Sequence, residues 1–163
     1  MPILRWPDER LSTLCEPAVR GDATAELAAD MLETMYDAPG RGLAAPQVGV
    51  LTRLFVMDAT WKEGRPDPHV FLNPVIIEKS PNIVTGPEGC LSIPGIEVPV
   101  ARADWVVVRW KTPEGLQQEA RLEGFAAICV QHETDHLDGR VTLTRVDPAA
   151  RKALEAQYIG QQQ

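Results

Sequence analysis

The sequence predicts an α+β fold in which helices pack against antiparallel sheet. Three observations carry that prediction. Residues 24–37 show the three- and four-residue apolar spacing of an amphipathic helix. Residues 51–122 change to short runs rich in β-branched and aromatic residues, with turn residues between them. Residues 124–137 then return to a helical pattern.

In the first helix Leu27, Ala28, Met31, Leu32 and Met35 make the apolar stripe, with Asp22 or Thr24 as the expected cap. Pro39 and Gly40 end it, and a loop, GRGLAAPQVG, follows. Strands are expected at RLFVMD (53–58), HVFLNP (69–74) and VII (75–77), with a loop over 64–68. WVVVRW (105–110) and LQQEARLE (116–123) flank KTPEG, which reads as a hairpin turn. The second helix sets Phe125, Ile128, Cys129, His132 and His136 on one face and stops near Gly139. Pro148 is placed to open a short terminal helix over 149–158. A length of 163 residues suits one domain spanning 1–163.

Composition excludes several function classes. The balance of 16 basic to 23 acidic residues leaves a net charge of −7, which argues against general affinity for nucleic acid or anionic membrane. No apolar run reaches the roughly 18 residues of a transmembrane helix, and MPILRWPDER lacks the apolar stretch of a signal peptide. A cytoplasmic location is expected. Cys15, Cys90 and Cys129 are an odd count without disulfide spacing.

The stretch QHETDHLDG (131–139) contains H-E-x-x-H. On a helix, His132 and His136 project to the same side one turn apart, so both imidazoles can reach one ion, with Glu133 as general base. Two ordinary helix histidines fit the stretch as well. A catalytic centre needs a third protein ligand and an open position. Cys129 is poorly placed for this, lying about 10.5 Å from position 136 along a helix axis. Cys129 and Cys15 read as packing residues, and His69 as structural or exposed. Cys90, in EGCLSIPG, reads on its own as a buried apolar residue as readily as a ligand.

Three segments in order resemble the peptide deformylases: GRGLAAPQ (40–47), EGCLS (88–92) and QHETDHLDG (131–139). WPDERL (6–11) and EKS (78–80) are also similar, so the resemblance spans almost the whole chain. It implies antiparallel sheets packed around a central metal-binding helix. It also implies that Cys90, His132 and His136 bind one divalent metal, natively Fe2+, with Zn2+, Ni2+ or Co2+ as substitutes. The implied reaction removes the N-formyl group from the terminal methionine of nascent polypeptides and releases formate. Glu133 would be the general base, with the Gln47 side chain and the Leu91 backbone N–H as oxyanion donors. Arg41, Gly42, Gly86, Glu88, Gly89 and Phe125 would line the substrate site. Arg102 would support Glu88 by an ion pair, and Asp135 would act behind the ligands. The expected partner is a formylated nascent peptide, with transient ribosome contact, no specific nucleic acid, no membrane and a monomeric state. Arg151 and Lys152 are the only basic residues of 149–163, too few for a strong electrostatic anchor to RNA.

The chain departs from the family pattern at Arg41 and Phe125, where aliphatic residues are usual, at Gly86, and at Glu97, where arginine is common. These positions imply an altered substrate preference and an Arg41–Glu97 pair across the cleft. Another reading is a related amide hydrolase acting on a different N-formyl or N-acyl compound, for which Arg41 suits a carboxylate. A metallopeptidase and a closed structural metal site are further readings; Cys90 weakens the first, and the lack of a fourth ligand weakens the second.

Overall fold

In the computed structural model, which describes residues 1–163, seven strands form two antiparallel sheets with three α-helices packed on them. Helix α1 (Asp22–Asp37) is followed by β1 (Gly42–Ala44), β2 (Leu54–Met57) and β3 (His69–Lys79). Next come β4 (Ile83–Cys90), β5 (Ile93–Ala103), β6 (Trp105–Lys111) and β7 (Gln117–Glu123). Helices α2 (Gly124–Leu137) and α3 (Pro148–Gln161) close the chain. The larger sheet runs β1-β2-β3-β6-β7, and the smaller is the β4–β5 hairpin. The α+β class is the one the sequence predicts. No helix is long and apolar enough to cross a membrane.

The β6–β7 hairpin forms where expected. Val106, Val108 and Trp110 alternate inward along β6. The turn closes with the Thr112 N–H on the Leu116 carbonyl, and Gly115 takes the left-handed conformation (φ 89°) the turn needs. HVFLNP and VII are one strand rather than two. The ladder to β6 shifts register between Leu72 and Val75 at a bulge. There Asn73 adopts φ 50°, and its side-chain amide holds both backbone groups of Ala18.

Two parts of the sheet structure lie where the sequence gives little strand signal. β1 sits inside what reads as a loop and is only three residues long. The β4–β5 hairpin is broken by Pro87, Pro94 and Pro99, residues that argue against strand. Pro87 pairs directly with Pro99, so both missing N–H donors fall on one rung that needs neither. Ile96, Val98 and Val100 still alternate inward against α3 and the N-terminal segment.

Helix α1 is not capped by Asp22 or Thr24. Gly21 is its N-cap without a side-chain bond, and the Thr24 hydroxyl turns back to the Val19 carbonyl. Asp22 still lies in the first turn, where the helix dipole favours an anion. Helix α3 is capped by Asp147, which accepts from the Ala150 N–H, and it runs on to Gln161.

Helix α2 occupies the middle of the fold, touching β1, β2, β5, β6 and β7. Ala127, Val130 and Leu137 pack against Phe55, Phe71 and Trp110, whose rings stand 4.5 Å apart in successive pairs. The Gln131 amide bonds both backbone groups of Ala103 and so fixes α2 to β5. Gly139 ends the turn after α2 at φ 72°, with the Ser12 carbonyl 2.9 Å from where a Cβ would stand.

Candidate metal centre and active site

Because α2 is buried on nearly every side, its polar residues His132, Glu133, Asp135 and His136 are buried too. Burial of that many ionisable groups requires partners. The first partner comes from the β4–β5 hairpin. Cys90 ends β4, and the Leu91–Ser92 turn pairs it with Ile93. The ligand atoms of Cys90, His132 and His136 all lie within 4.8 Å of one another, with Cys90 Sγ 3.5 Å from His136 Nε2.

Burial alone would raise the Cys90 thiol, but the adjoining imidazoles outweigh it and hold the group at about 5. Cys90 is thus a thiolate at neutral pH. Burial leaves the other two cysteines as thiols: Cys15 is pushed up to about 11, and Cys129 rises well above its ordinary value, helped by the Glu133 charge. One thiolate and two imidazoles are a donor set for a divalent transition metal.

The donor side chains are braced from behind. His132 Nδ1 lies 2.9 Å from Glu88 Oε1. Arg102 holds Glu88 through both oxygens, at 3.0 and 2.9 Å, and reaches Asp135 at 2.6 Å. Arg145 completes the chain by a two-pronged contact with Asp135. Desolvation would raise the Glu88 and Asp135 carboxyls, yet these bonds and charges keep both below the usual range. Glu88 therefore orients His132 through Oε1, while Arg102 holds both of its oxygens. Such support fixes the ring of a metal-ligating histidine. Arg145 carries no signal in the sequence, since nothing in LTRV marks it as a partner of α2. His136 Nδ1 finds no hydrogen-bond partner in the protein.

Glu133 stands beside the donor set. Burial raises its carboxyl despite the two imidazoles, and its Oε2 has no partner within the protein. An orphaned buried oxygen next to a thiolate and two imidazoles fits a metal centre that works on water. Gly42 permits this arrangement: a Cβ there would stand 2.6 Å from Glu133 Oε1 and 2.9 Å from Cys129 Sγ. Gln47 is fully buried. Its Oε1 accepts from the Ala44 N–H at 2.9 Å, and its Nε2 reaches Ser92 Oγ at 3.1 Å and Cys90 Sγ at 3.6 Å. The role of Ser92 in setting that amide is not evident from the sequence.

A cleft of about 850 Å3 brings Gln47, Cys90, Leu91, His132 and Glu133 to one surface. Arg41, Gly42, Gly86, Glu88, Gly89 and Phe125 line the same cleft. His136 lies behind it, 1% exposed. A Cβ on Gly86 or Gly89 would meet open space. The expected Arg41–Glu97 pair does not form. Strand alternation turns Glu97 to the solvent face of β5, opposite Ile96 and Val98. Arg41 instead pairs with Glu63 at 3.1 Å and lies over the Phe125 ring, 4.6 Å from its centroid.

Residues 1–152 match the family of polypeptide deformylases. A peptide deformylase of Stenotrophomonas maltophilia is 44% identical over 99% of this chain and 95% of its own. The crystal structure of a peptide deformylase from Legionella pneumophila superposes with a TM-score of 0.91 at 37% identity, covering 98% of this chain and 94% of that one. The Met-Ala-Ser-bound crystal structure of the class I type b enzyme from Acinetobacter baumannii gives 0.82 at 32% identity, covering 90% and 98%. With the cysteine–histidine cluster, the adjoining glutamate and the cleft in place, the chain belongs to the polypeptide deformylase family, metal-dependent hydrolases that remove the N-formyl group from nascent peptides.

Proposed function

We propose that residues 1–163 act as one catalytic domain in which Cys90, His132 and His136 hold a ferrous ion and Glu133 moves the protons of deformylation. The observation that carries this reading is the orphaned Glu133 oxygen beside three donor atoms within 4.8 Å of one another. Thiolate and imidazole donors also accept Zn2+, Ni2+ or Co2+, which are the expected substitutes. When bound, the ion supplies Lewis acidity that makes hydroxide available near neutral pH and polarises the formyl carbonyl.

The side chains do the rest. Glu133 accepts the proton of the attacking water and returns one to the leaving amine. The water oxygen joins the formyl carbon, the carbon–nitrogen bond breaks, and formate and a free N-terminus result. Negative charge gathers on the formyl oxygen, where the Gln47 amide and the Leu91 N–H donate. Glu88 and Arg102 keep the His132 ring in place throughout. Gly42 lets the β1 backbone come close to both Glu133 and the peptide, which lies extended along the strand edges. Gly86, Gly89 and Phe125 contact the first residues of the peptide. The substrate is the formylated nascent chain, met by a cytoplasmic monomer in transient contact with the ribosome.

X-ray absorption at the metal edge of the iron-loaded protein tests the ligand set. One sulfur and two imidazole nitrogens are expected. A spectrum without sulfur, or an unchanged spectrum in Cys90→Ser, would overturn it.

A further inference from the structure

The chain carries a net charge of −7, yet the charged side chains that line its cleft away from the buried donor cluster are basic. Its ionisable lining includes Arg5, Arg41 and Lys62, and its two carboxylates, Glu88 and Glu133, are buried beside the donor cluster. Arg5 and Lys62 form no ion pair. Arg41 is the best held of the three. One face of its guanidinium lies on Phe125, and one edge meets Glu63 at 3.1 Å. Its side chain is 25% exposed.

The segment that brings Glu63 there is itself pinned. Asp58, fully buried, accepts from the Tyr36 hydroxyl at 2.6 Å and from the Asp67 N–H at 3.1 Å. Its backbone N–H donates to the Arg41 carbonyl at 2.9 Å. Trp61 donates from its indole to the Gly40 carbonyl at 2.9 Å and meets the Tyr36 ring edge-on. Backbone and side chain of Arg41 are thus both fixed before any substrate arrives. A pre-positioned guanidinium loses little freedom on accepting a carboxylate. Its chain neighbour Gly42 packs against Glu133, one Cα step of about 3.8 Å away. An extended peptide advances about 3.3 Å per residue. The long arginine side chain adds its own reach to that step, so with the formyl group at Glu133 the residues beyond the first, the second and third, are the ones its guanidinium meets.

We propose that Arg41 is a specificity-determining residue that selects formyl-peptides bearing a carboxylate side chain at the second or third position. The proposal rests on the deformylase reading of the cleft. Glu63 is then a built-in competitor, holding the guanidinium in place and tempering its attraction for the substrate. Lys62 and Arg5 add to the field that draws acidic peptides in.

The test measures formate release by the iron-loaded full chain from C-terminally amidated peptides, so that no free terminus mimics an acidic side chain. The set is formyl-Met-Asp-Ala, formyl-Met-Ala-Asp, formyl-Met-Ala-Ala and formyl-Met-Lys-Ala, each at low and high salt. One of the aspartate peptides should exceed the alanine peptide in kcat/KM by roughly fivefold at low salt. Added salt should narrow that ratio. Arg41→Gln should bring the ratio to unity, and Glu63→Gln should widen it. If the ratio survives in Arg41→Gln, or Glu63→Gln leaves it unmoved, Arg41 merely props the segment that carries Glu63 and the proposal fails. Equal rates for all four peptides in the unaltered enzyme also overturn it, while leaving deformylation intact. No formate from any peptide overturns the deformylase reading, and this proposal with it.

Discussion

At Gly42 the packing leaves no room for a methyl group, because Glu133 and Cys129 both stand within 3.0 Å of where it would be. Gly42→Ala should destabilise the protein by about 1–3 kcal/mol, the usual cost of overpacking, read by urea unfolding. It should also lower kcat more than it weakens metal binding, since Glu133 moves and the ligands do not. Cys90 offers a second test at this scale. In metal-free protein its thiolate absorbance should titrate near pH 5, while Cys15 and Cys129 stay protonated at neutral pH. Subtracting the signal of Cys90→Ser isolates it. Of the individual residues, the pairing of His132 with His136 on one face was legible from the H-E-x-x-H spacing, whereas Cys90 joined them only through the resemblance of EGCLS to the family. The partner of Arg41 was not legible. Its choice of Glu63 over Glu97 depends on a segment folded onto the cleft by Asp58 and Trp61, which no local pattern announces.

Between elements, the link from β5 to α2 through Arg102 decides how firmly the histidines are held. Arg102→Met would leave Glu88 and Asp135 buried, with Glu88 keeping only His132 and Asp135 only Arg145. A loss of about 3–5 kcal/mol is expected in denaturant unfolding, as for other broken buried pairs. Metal affinity should fall roughly 10- to 100-fold by competition with a chelator, because His132 loses the group that steadies its partner. Both carboxyls sit below their ordinary values in the folded protein. The stability they contribute is therefore complete above the unfolded carboxyl range, about pH 4, and disappears as pH falls through the lower folded values. The urea midpoint should drop steeply in acid for the unaltered protein and less steeply for Arg102→Met. The helices and the β6–β7 hairpin were legible from apolar period, turn residues and stop signals. The β4–β5 hairpin was not, because its prolines and glycines suit one particular pairing that the sequence does not display.

Over the whole molecule, three separately built parts converge: β1 with Gly42 and the turn bearing Gln47, the β4–β5 hairpin with Cys90, and α2 with His132, Glu133 and His136. None of the parts holds a complete site, so an ion bound by Cys90, His132 and His136 would tie two of them together. Metal removal should leave the fold standing on its apolar cores but lower its melting temperature, since an ion at a hundred times its Kd contributes about 2.7 kcal/mol. Scanning calorimetry of loaded and chelated protein checks this. The convergence was legible only as an ordered set of motifs. The distances, the orphaned Glu133 oxygen and the Arg145–Asp135–Arg102–Glu88–His132 chain belong to tertiary structure. The most direct measurement is formate release from formyl-Met-Ala-Ser by protein loaded with Fe2+ without oxygen, set beside Glu133→Ala carrying the same metal. A robust rate that falls by about 10²- to 10⁴-fold in the variant is predicted. No release despite one bound metal per chain would contradict the deformylase reading, and an undiminished rate in Glu133→Ala would contradict the assignment of Glu133 to the proton transfer.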